Sequence, residues 1–321
     1  MKRALFVGLN DYPGSPLHGC VRDATSMDHM LRTHDDGSPN FEGLLLTEAS
    51  QVTRAGLKGA VTRLFGQPAD VALFYFSGHG LLDKNLGGYL VTSDFTSNDE
   101  GVSMSDVLKL ANESPAKEVI IILDCCHSGA LGLNTANSSH PQVHLREECS
   151  VLTASRAEEP ATEVNGQGTF TTLVLDALSG GAADTVGKVT IASTYAYVDE
   201  VLGAWEQRPL LKANVSRLNI LRQCSAQVAC ESLRKLPDYF PTADYIFSLD
   251  PSYEPCRPDG FTHERNEENE RAFACLQKYR AARLVEPVGA EHMYYAAINT
   301  KACRLTKLGQ FYWRLAQDGR I

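Results

Sequence analysis

The chain has 321 residues, of which 43% are hydrophobic and 21% are charged, and its formal net charge is −9. Such a composition is typical of a globular protein with one large domain or two ordinary ones. No apolar run approaches the roughly 20 residues of a membrane-spanning helix, so no membrane partner is expected. The negative charge argues against a protein that binds nucleic acid over its whole surface.

The N-terminal sequence MKRALFVGLNDYPG has an apolar stretch too short for a signal-peptide core, and this stretch meets Asn10 and Asp11 at once. It predicts a first strand and a cytoplasmic protein. The nine cysteines are odd in number, and no two have the spacing CxxC. Neither a disulfide framework nor a cysteine-based zinc site is therefore expected.

Residues 1–220 alternate strand and helix patterns. Apolar runs and amphipathic segments predict the following elements: strands at 4–10, 44–48, 70–80, 87–95, 118–126 and 149–155, and helices at 20–34, 53–64, 104–111, 169–179 and 190–205. Buried strands that alternate with helices indicate a mostly parallel sheet covered on both faces.

Residues 206–260 are irregular and partly rich in proline, and we predict a domain boundary near 221–225, with domains 1–222 and 223–321. In the second domain the pattern predicts a helix at 269–288, a strand at 292–300 and a helix at 305–319. This order resembles a winged-helix module. Residues 221–321 carry 14 basic and 13 acidic side chains, which is a poor match to phosphate. We therefore expect a sensing or docking role, with an activating ligand or protein as its partner.

Two polar motifs, SGHG and DCCHSG, come at the carboxyl ends of predicted strands, where open α/β sheets bind ligands. His79 and Cys126 are thus expected on one rim of the sheet. Side chains alternate along a strand, so Cys126 shares a side with Asp124 and Cys125 points away. A histidine base can activate a thiol, and the N–H groups of Gly80 and Cys126 could stabilise an oxyanion.

Together, FYFSGHG and DCCHSG, 47 residues apart from histidine to cysteine, resemble the caspase–metacaspase clan of cysteine proteases. The segments GCVRDA, LTASRAEEPATE and GTFTTLVLDAL are also similar to that clan. The resemblance covers about residues 3–220. It implies a caspase-like α/β/α sandwich with a mostly parallel central sheet, followed here by a small C-terminal α+β winged-helix-like domain.

The resemblance further implies Cys126 as the nucleophile, His79 as the general base, and Gly80 with Cys126 as the oxyanion donors. Asp23 and Asp124 match the two acids of the first specificity pocket, so a polypeptide substrate with Arg or Lys before the cut is expected. Two carboxylates would bind a cation and reject an acidic side chain. The alternatives stay open: Asp23 could be a first-turn helix acid and Asp124 a solvated acid at a strand end.

Three further expectations concern regulation. No cofactor is required by the motifs, although Asp94, Asp99 and Glu100 form an oxygen-rich segment that would suit calcium. The polar loop 130–148 contains one basic residue, Arg146, where such an enzyme could cut itself. A bacterial defence or stress role fits the clan. Two other functions remain as alternatives: a catalytically silent signalling scaffold and a DNA-binding regulator.

Overall fold

The computed structural model describes residues 1–83, 87–96, 99–126, 144–154, 163–164, 166–202, 208–256 and 266–321. These residues form two compact units. The N-terminal unit comprises Met1–Ala183 and Gly187–Ser225, and the C-terminal unit comprises Asp184–Val186 and Ala226–Ile321. The short segment Asp184–Val186 therefore belongs to the unit that follows it in sequence, not to the one in which it is embedded.

In chain order, the strands of the described residues are β1 Lys2–Gly8, β2 Phe41–Leu46, β3 Val71–Ser77, β4 Gly80–Asp83, β5 Gly87–Thr96, β6 Asp99–Ser103, β7 Glu118–Asp124, β8 Cys149–Thr153, β9 Glu163–Val164, β10 Gln167–Gly168, β11 Lys188–Val189, β12 Leu210–Asn214, β13 Arg222–Gln223, β14 Ile246–Ser248, β15 Val285–Val288 and β16 Ala302–Leu305.

The helices are α1 Cys20–Arg32, α2 Arg54–Phe65, α3 Met104–Asn112, α4 Thr169–Asp176, α5 Ile191–Leu202, α6 Cys230–Leu233, α7 Leu236–Tyr239, α8 Glu267–Ala281, α9 Met293–Ile298 and α10 Lys307–Gln317. A π-helical turn, Ala177–Gly181, continues α4, and a 3₁₀ turn lies at Pro251–Tyr253.

A six-stranded sheet forms the centre of the N-terminal unit, in the order β12-β8-β7-β3-β1-β2. Every neighbouring pair is parallel except β12 with β8. A smaller antiparallel sheet, β4-β5-β6, follows β3 directly. The predicted mostly parallel sheet is confirmed.

Helices cover both faces of the central sheet. On one face, alternate residues of β3 and β7 pack with α2 and α3. On the other face, the intervening residues pack with α1, α4 and α5. Strands β3 and β7 are buried along their whole length, which explains their continuous apolar sequences. The unit is thus the three-layer α/β/α arrangement that the sequence predicts.

Local sequence patterns also predict where individual helices and strands begin and end. The predicted cap of α2 is confirmed, since the Thr53 side chain accepts a hydrogen bond from the Gly56 amide at 3.1 Å. The second strand lies earlier in the chain than predicted: the pattern predicts 44–48, whereas β2 spans Phe41–Leu46. Its burial is partial, because it is the edge strand of the sheet.

The C-terminal unit has a sheet of order β14-β16-β15 and its own apolar core, which includes Phe273, Leu276 and Tyr279 of α8. The strand predicted at 292–300 is wrong, because helix α9 occupies Met293–Ile298. Its buried residues, Met293, Ala296 and Ala297, have helical spacing. The resemblance to a winged helix stays a prediction.

Among the described residues, none of the helices has both the length and the apolar character needed to cross a lipid bilayer.

Candidate active site at the ends of β3 and β7

The two motif residues His79 and Cys126 follow neighbouring strands in register. Strands β3 and β7 are parallel, and Ser77 at the end of β3 pairs with Asp124 at the end of β7. The Gly78 amide donates to the Asp124 carbonyl oxygen at 3.3 Å. His79 and Cys126 therefore each stand two residues beyond a paired strand end, at one rim of the sheet.

His79 is held by the loop that follows β1. Its Nε2 lies 2.8 Å from the Ser15 carbonyl oxygen, its backbone N–H donates to the Tyr12 hydroxyl at 3.0 Å, and its ring centroid is 4.5 Å from that of Tyr12. A carbonyl oxygen can only accept, so this hydrogen bond requires the proton on Nε2. In the neutral ring, Nδ1 is then the nitrogen with a lone pair.

The two adjacent cysteines differ in environment. Cys125 is 1% exposed and packs on the face of α2 and α3, whereas Cys126 is partly exposed. Burial, together with the negative charge of Asp124, raises the pKa of the Cys125 thiol well above its ordinary value. Cys125 thus stays protonated, and Cys126 is the thiol that solvent can reach.

Gly80, the first residue of β4, approaches the Cys126 backbone closely. A side chain at this position would clash with the Cys126 carbonyl oxygen and would also stand 3.2 Å from the Cys125 sulfur. The contact therefore requires glycine. It brings the backbone that follows His79 next to the backbone of Cys126.

Asp23 lies in the first turn of α1 and is 1% exposed. Its carboxylate accepts hydrogen bonds from the Ser77 hydroxyl at 3.0 Å and from the Gly168 amide at 3.2 Å. Hydrogen bonds to a buried carboxylate offset the cost of removing its charge from water. Asp23 is therefore bonded to the end of β3 and to β10, rather than being a surface acid at a helix terminus.

Asp124 is 6% exposed and lies on the face opposite Cys125, as alternation along a strand predicts. Its Oδ2 accepts a hydrogen bond from the Thr171 hydroxyl at 2.6 Å and another from the Thr171 amide at 3.3 Å. The Thr171 hydroxyl also lies 2.6 Å from the Tyr75 hydroxyl. The alternative of a solvated acid at a strand end does not fit this environment.

The carboxylates of Asp23 and Asp124 converge on Gly168. A side chain placed there would clash with Asp124 Oδ2 and would reach within 3.0 Å of Asp23 Oδ2. Two carboxylates this close repel one another when both carry a charge, and a cation between them would relieve that repulsion. The site is therefore suited to a positively charged group.

The calcium candidates lie elsewhere, around Arg54 at the start of α2. Asp94 accepts hydrogen bonds from the Arg54 amide at 2.9 Å and the Thr92 hydroxyl at 2.7 Å, and Asp99 forms an ion pair with the Arg54 guanidinium. Burial alone would raise the pKa of Asp94, but these hydrogen bonds lower it. Glu100 is partly buried in β6.

Within the described part of the chain, no cluster of three or more His, Cys, Asp or Glu side chains has an arrangement that could hold a metal ion. Asp94 and Asp99 both contact Arg54 instead. The expectation that no cofactor is required stays a prediction, and calcium binding through Asp94, Asp99 and Glu100 stays its alternative.

Most of the predicted processing loop, 130–148, lies outside the described residues. Arg146 is described. Its guanidinium donates to the Ala116 carbonyl oxygen at 2.6 Å, and its amide donates to Asn112 Oδ1 at 3.0 Å. Cleavage after Arg146 would first require these contacts to break.

Sequence reasoning missed the residues that hold the motif residues in place. Tyr12 and Ser15 contact His79 from 67 and 64 positions away, and Thr171 contacts Asp124 from 47 positions away. One signal was available for Tyr12 and Ser15: they follow the first predicted strand, whose carboxyl end should meet the same rim. Thr171 lies in GTFTTLVLDAL, a segment that resembles the clan but carries no local sign of a role for the threonine.

Curated relatives of the chain are metacaspases. It is 33% identical over 149 residues to Metacaspase-1 of Plasmodium falciparum, covering 40% of this chain and 24% of that protein. It is 28% identical over 216 residues to Metacaspase-2 of Trypanosoma brucei brucei, covering 56% of this chain and 61% of that protein. The chain thus matches about a quarter to three-fifths of the length of these two relatives.

Among solved structures, protein GSU0716 from Geobacter sulfurreducens is similar, with a TM-score of 0.51 and 17% identity over 68% of this chain and 95% of that chain. At this identity the likeness concerns the fold only. The family model of the caspase domain, Peptidase_C14, matches residues 1–240. With this match, the metacaspase relatives and the caspase-like sheet, the chain belongs to the caspase-domain family of cysteine peptidases.

Proposed function

We propose that the protein is a cysteine endopeptidase that cleaves polypeptides after Arg or Lys, with Cys126 as nucleophile and His79 as general base. One observation carries the specificity: two buried carboxylates, Asp23 and Asp124, converge beside the strand end that leads to Cys126. A cationic side chain would neutralise both, whereas an acidic one would add a third negative charge.

The reaction follows from the hydrogen bonds of His79. With the proton of Nε2 directed to the Ser15 carbonyl, Nδ1 takes the proton of the Cys126 thiol. The sulfur then attacks the peptide carbonyl carbon, and the N–H groups of Gly80 and Cys126 donate to the oxyanion. His79 returns the proton to the leaving amine, and water hydrolyses the thioester, which regenerates the thiol.

The proposal is tested with the full chain and fluorogenic peptides that differ only in the residue before the cut: Arg, Lys, Asp or Ala. We expect cleavage after Arg and Lys. Cys126→Ala should abolish it, because no other nucleophile replaces the sulfur. Cys125→Ala is the matched control, and it should retain activity because Cys125 packs away from the rim. Preference for Asp, or activity that survives Cys126→Ala, would overturn the proposal.

We also propose that the peptidase is regulated through the C-terminal unit. Support comes from its exposed apolar side chains, of which Ile246 and Phe311 are 53% and 49% exposed. A cleft of about 360 Å³ adjoins Ile246. Apolar side chains exposed to this extent are candidates for contact with a partner, since docking surfaces are often apolar. The defence or stress role belongs to this proposal and rests on the resemblance of the sequence alone.

Regulation is tested by measuring cleavage of the Arg peptide with and without cell extract. Wild-type protein should respond to the extract, and Phe311→Asp should not, whereas the exposed polar substitution Arg314→Gln in the same helix should leave the response unchanged. An extract that changes none of the rates, or that changes all three equally, contradicts the proposal.

A further inference from the structure

The N-terminal end of α4 is bonded to both candidate specificity acids. The Gly168 amide donates to the two carboxylate oxygens of Asp23, both at 3.2 Å. The Thr171 amide and hydroxyl donate to Asp124 Oδ2 at 3.3 and 2.6 Å. One short segment thus fixes two carboxylates that come from different elements, α1 and β7. The positive end of the helix dipole also favours their negative charge.

The Thr171 hydroxyl is the middle member of a directed chain of hydrogen bonds. Tyr75 is fully buried, and burial with the nearby acids raises the pKa of its hydroxyl well above the ordinary value. Tyr75 therefore keeps its proton. The single hydroxyl hydrogen of Thr171 goes to Asp124, so the Tyr75 hydroxyl must donate to Thr171. A chain with a fixed direction holds the Thr171 hydroxyl, and through it Asp124 Oδ2, in one orientation.

Gly168 sets the space between the two acids. A methyl group there would clash with Asp124 Oδ2 and would stand 3.0 Å from Asp23 Oδ2. Any substitution must push at least one carboxylate away from its present position. The attraction between a cation and two acids depends on both distances, so a shift of one acid weakens the binding of a cationic side chain.

We propose that Thr171 and Gly168 are positioning residues that determine the preference for a cationic side chain before the cut, by holding Asp23 and Asp124 in their convergent arrangement. This inference rests on the proposed function. It assigns to α4 a role in recognition, separate from the bond-breaking groups at His79 and Cys126.

The test compares two peptides that differ only in charge: one ends in Arg and the other in citrulline, its neutral isostere. Both are assayed with the full chain. In Thr171→Val the hydroxyl is replaced by a methyl group of similar size. We expect the ratio of kcat/KM for Arg to that for citrulline to fall about tenfold or more, since a hydrogen bond to a charged group is lost. The lower ratio should result from a higher KM for the Arg peptide. The kcat for the citrulline peptide should be unchanged.

Three further variants separate positioning from simple stability. Thr171→Ser restores the hydroxyl and should recover the ratio to within about threefold of wild type. Gly168→Ala should lower the ratio as Thr171→Val does. Thr172→Val is the matched control, because the Thr172 hydroxyl donates to the Gly168 carbonyl at 3.0 Å and not to a carboxylate. It should leave the ratio unchanged.

The outcomes are distinguishable. A wild-type protein that prefers Arg, together with a Thr171→Val protein that keeps the same ratio, overturns the inference alone. An equal loss on both peptides in Thr171→Val, with Thr171→Ser no better, also overturns it, because the residue is then structural. A wild-type protein that cleaves neither peptide, or both equally, overturns the proposed function and the inference together.

Discussion

Strand β7 begins and ends with a buried acid, and the two acids have different surroundings. Glu118 at its start is 1% exposed. Its Oε2 accepts a hydrogen bond from the Asn219 side-chain amide at 2.6 Å and another from the Asn219 backbone amide at 3.3 Å. Its Oε1 has no hydrogen-bond partner among the described residues. Asp124 at the other end is bonded to Thr171 and faces a second carboxylate across Gly168.

Burial alone therefore does not identify an acid that binds a substrate. Glu118 lies at the opposite rim of the sheet, where β7 begins, and burial raises its pKa while the charge of Lys2 lowers it. Asp124 converges with Asp23 at the rim that carries Cys126. Convergence of like charges is costly for folding, and such a cost persists where a ligand can compensate it. Substitutions at the two ends of β7 should therefore have different effects.

The largest effect is expected for Asp124→Asn. The amide keeps the shape and can accept from Thr171, but the charge is lost. We expect kcat/KM for an Arg peptide to fall about 100-fold, because one partner of a desolvated charge pair is removed. Cleavage of the citrulline peptide should be unchanged. Glu118→Gln is the matched control and should alter neither rate.

Equal losses on the Arg and citrulline peptides in Asp124→Asn would contradict this prediction, since Asp124 would then be a structural acid of the same kind as Glu118.

An intermediate effect is expected for Tyr12→Phe, which acts on His79 instead of the acids. The change removes the Tyr12 hydroxyl, which accepts a hydrogen bond from the His79 backbone amide and donates one to the Val91 carbonyl oxygen at 3.3 Å. We expect kcat to fall about tenfold on the Arg and citrulline peptides alike, because the base is displaced for every substrate. A loss restricted to the Arg peptide would show that the Tyr12 side of the rim also takes part in charge recognition.

A smaller effect, on stability, is expected for Glu118→Gln. Burial raises the pKa of Glu118, so the folded protein favours the protonated acid. The contribution of this acid to stability is then full below its ordinary pKa of 4.5 and is lost as the pH rises through the raised value. We expect the variant to raise the apparent Tm at pH 7 by about 2 °C, and this gain should vanish near pH 4.

Thermal unfolding of both proteins across that pH range measures the effect. A lower Tm for the variant at pH 7 would mean that the charge of Glu118 stabilises the fold, which contradicts the interpretation of this residue as an acid buried at a cost.

The smallest effect is expected for calcium. Asp99 pairs with Arg54, and Asp94 accepts hydrogen bonds from Thr92 and the Arg54 amide. These acids already have partners, so we expect cleavage of the Arg peptide to be the same in chelator and in added calcium. Arg54→Gln tests the reason: it removes the ion pair of Asp99 and keeps the backbone donor to Asp94, and the freed Asp99 should create a response to calcium. A wild-type protein that needs calcium contradicts this prediction.

Much of the framework could be predicted from sequence because it depends on local patterns. Strands β1, β3 and β7 are mostly buried on both faces, so each contains an uninterrupted apolar run. Adjacent parallel strands place their carboxyl ends at one rim, and the alternation of side chains separates Cys125 from Asp124. These two rules locate the candidate site without any knowledge of long-range contacts.

Other features were not accessible from the same rules. Helix α9 has two tyrosines and an isoleucine, which favour strands, and only the spacing of Met293, Ala296 and Ala297 indicates a helix. The role of Thr171 depends on a contact with Asp124 that crosses 47 positions of sequence. Such a contact is a property of the packed fold, and a threonine in a helix carries no local sign of it.

The segment Asp184–Val186 has a consequence for the evolution and dissection of the molecule. The Val228 amide donates to the Thr185 carbonyl at 3.3 Å, and Val186 packs against the core of the C-terminal unit. The chain therefore passes between the units at three points, after Ala183, Val186 and Ser225. A single protease nick after Ser225 would leave three residues of the C-terminal unit on the other fragment. Recombination or design could exchange the C-terminal unit for another. The new unit would then have to join the N-terminal unit at all three of these points.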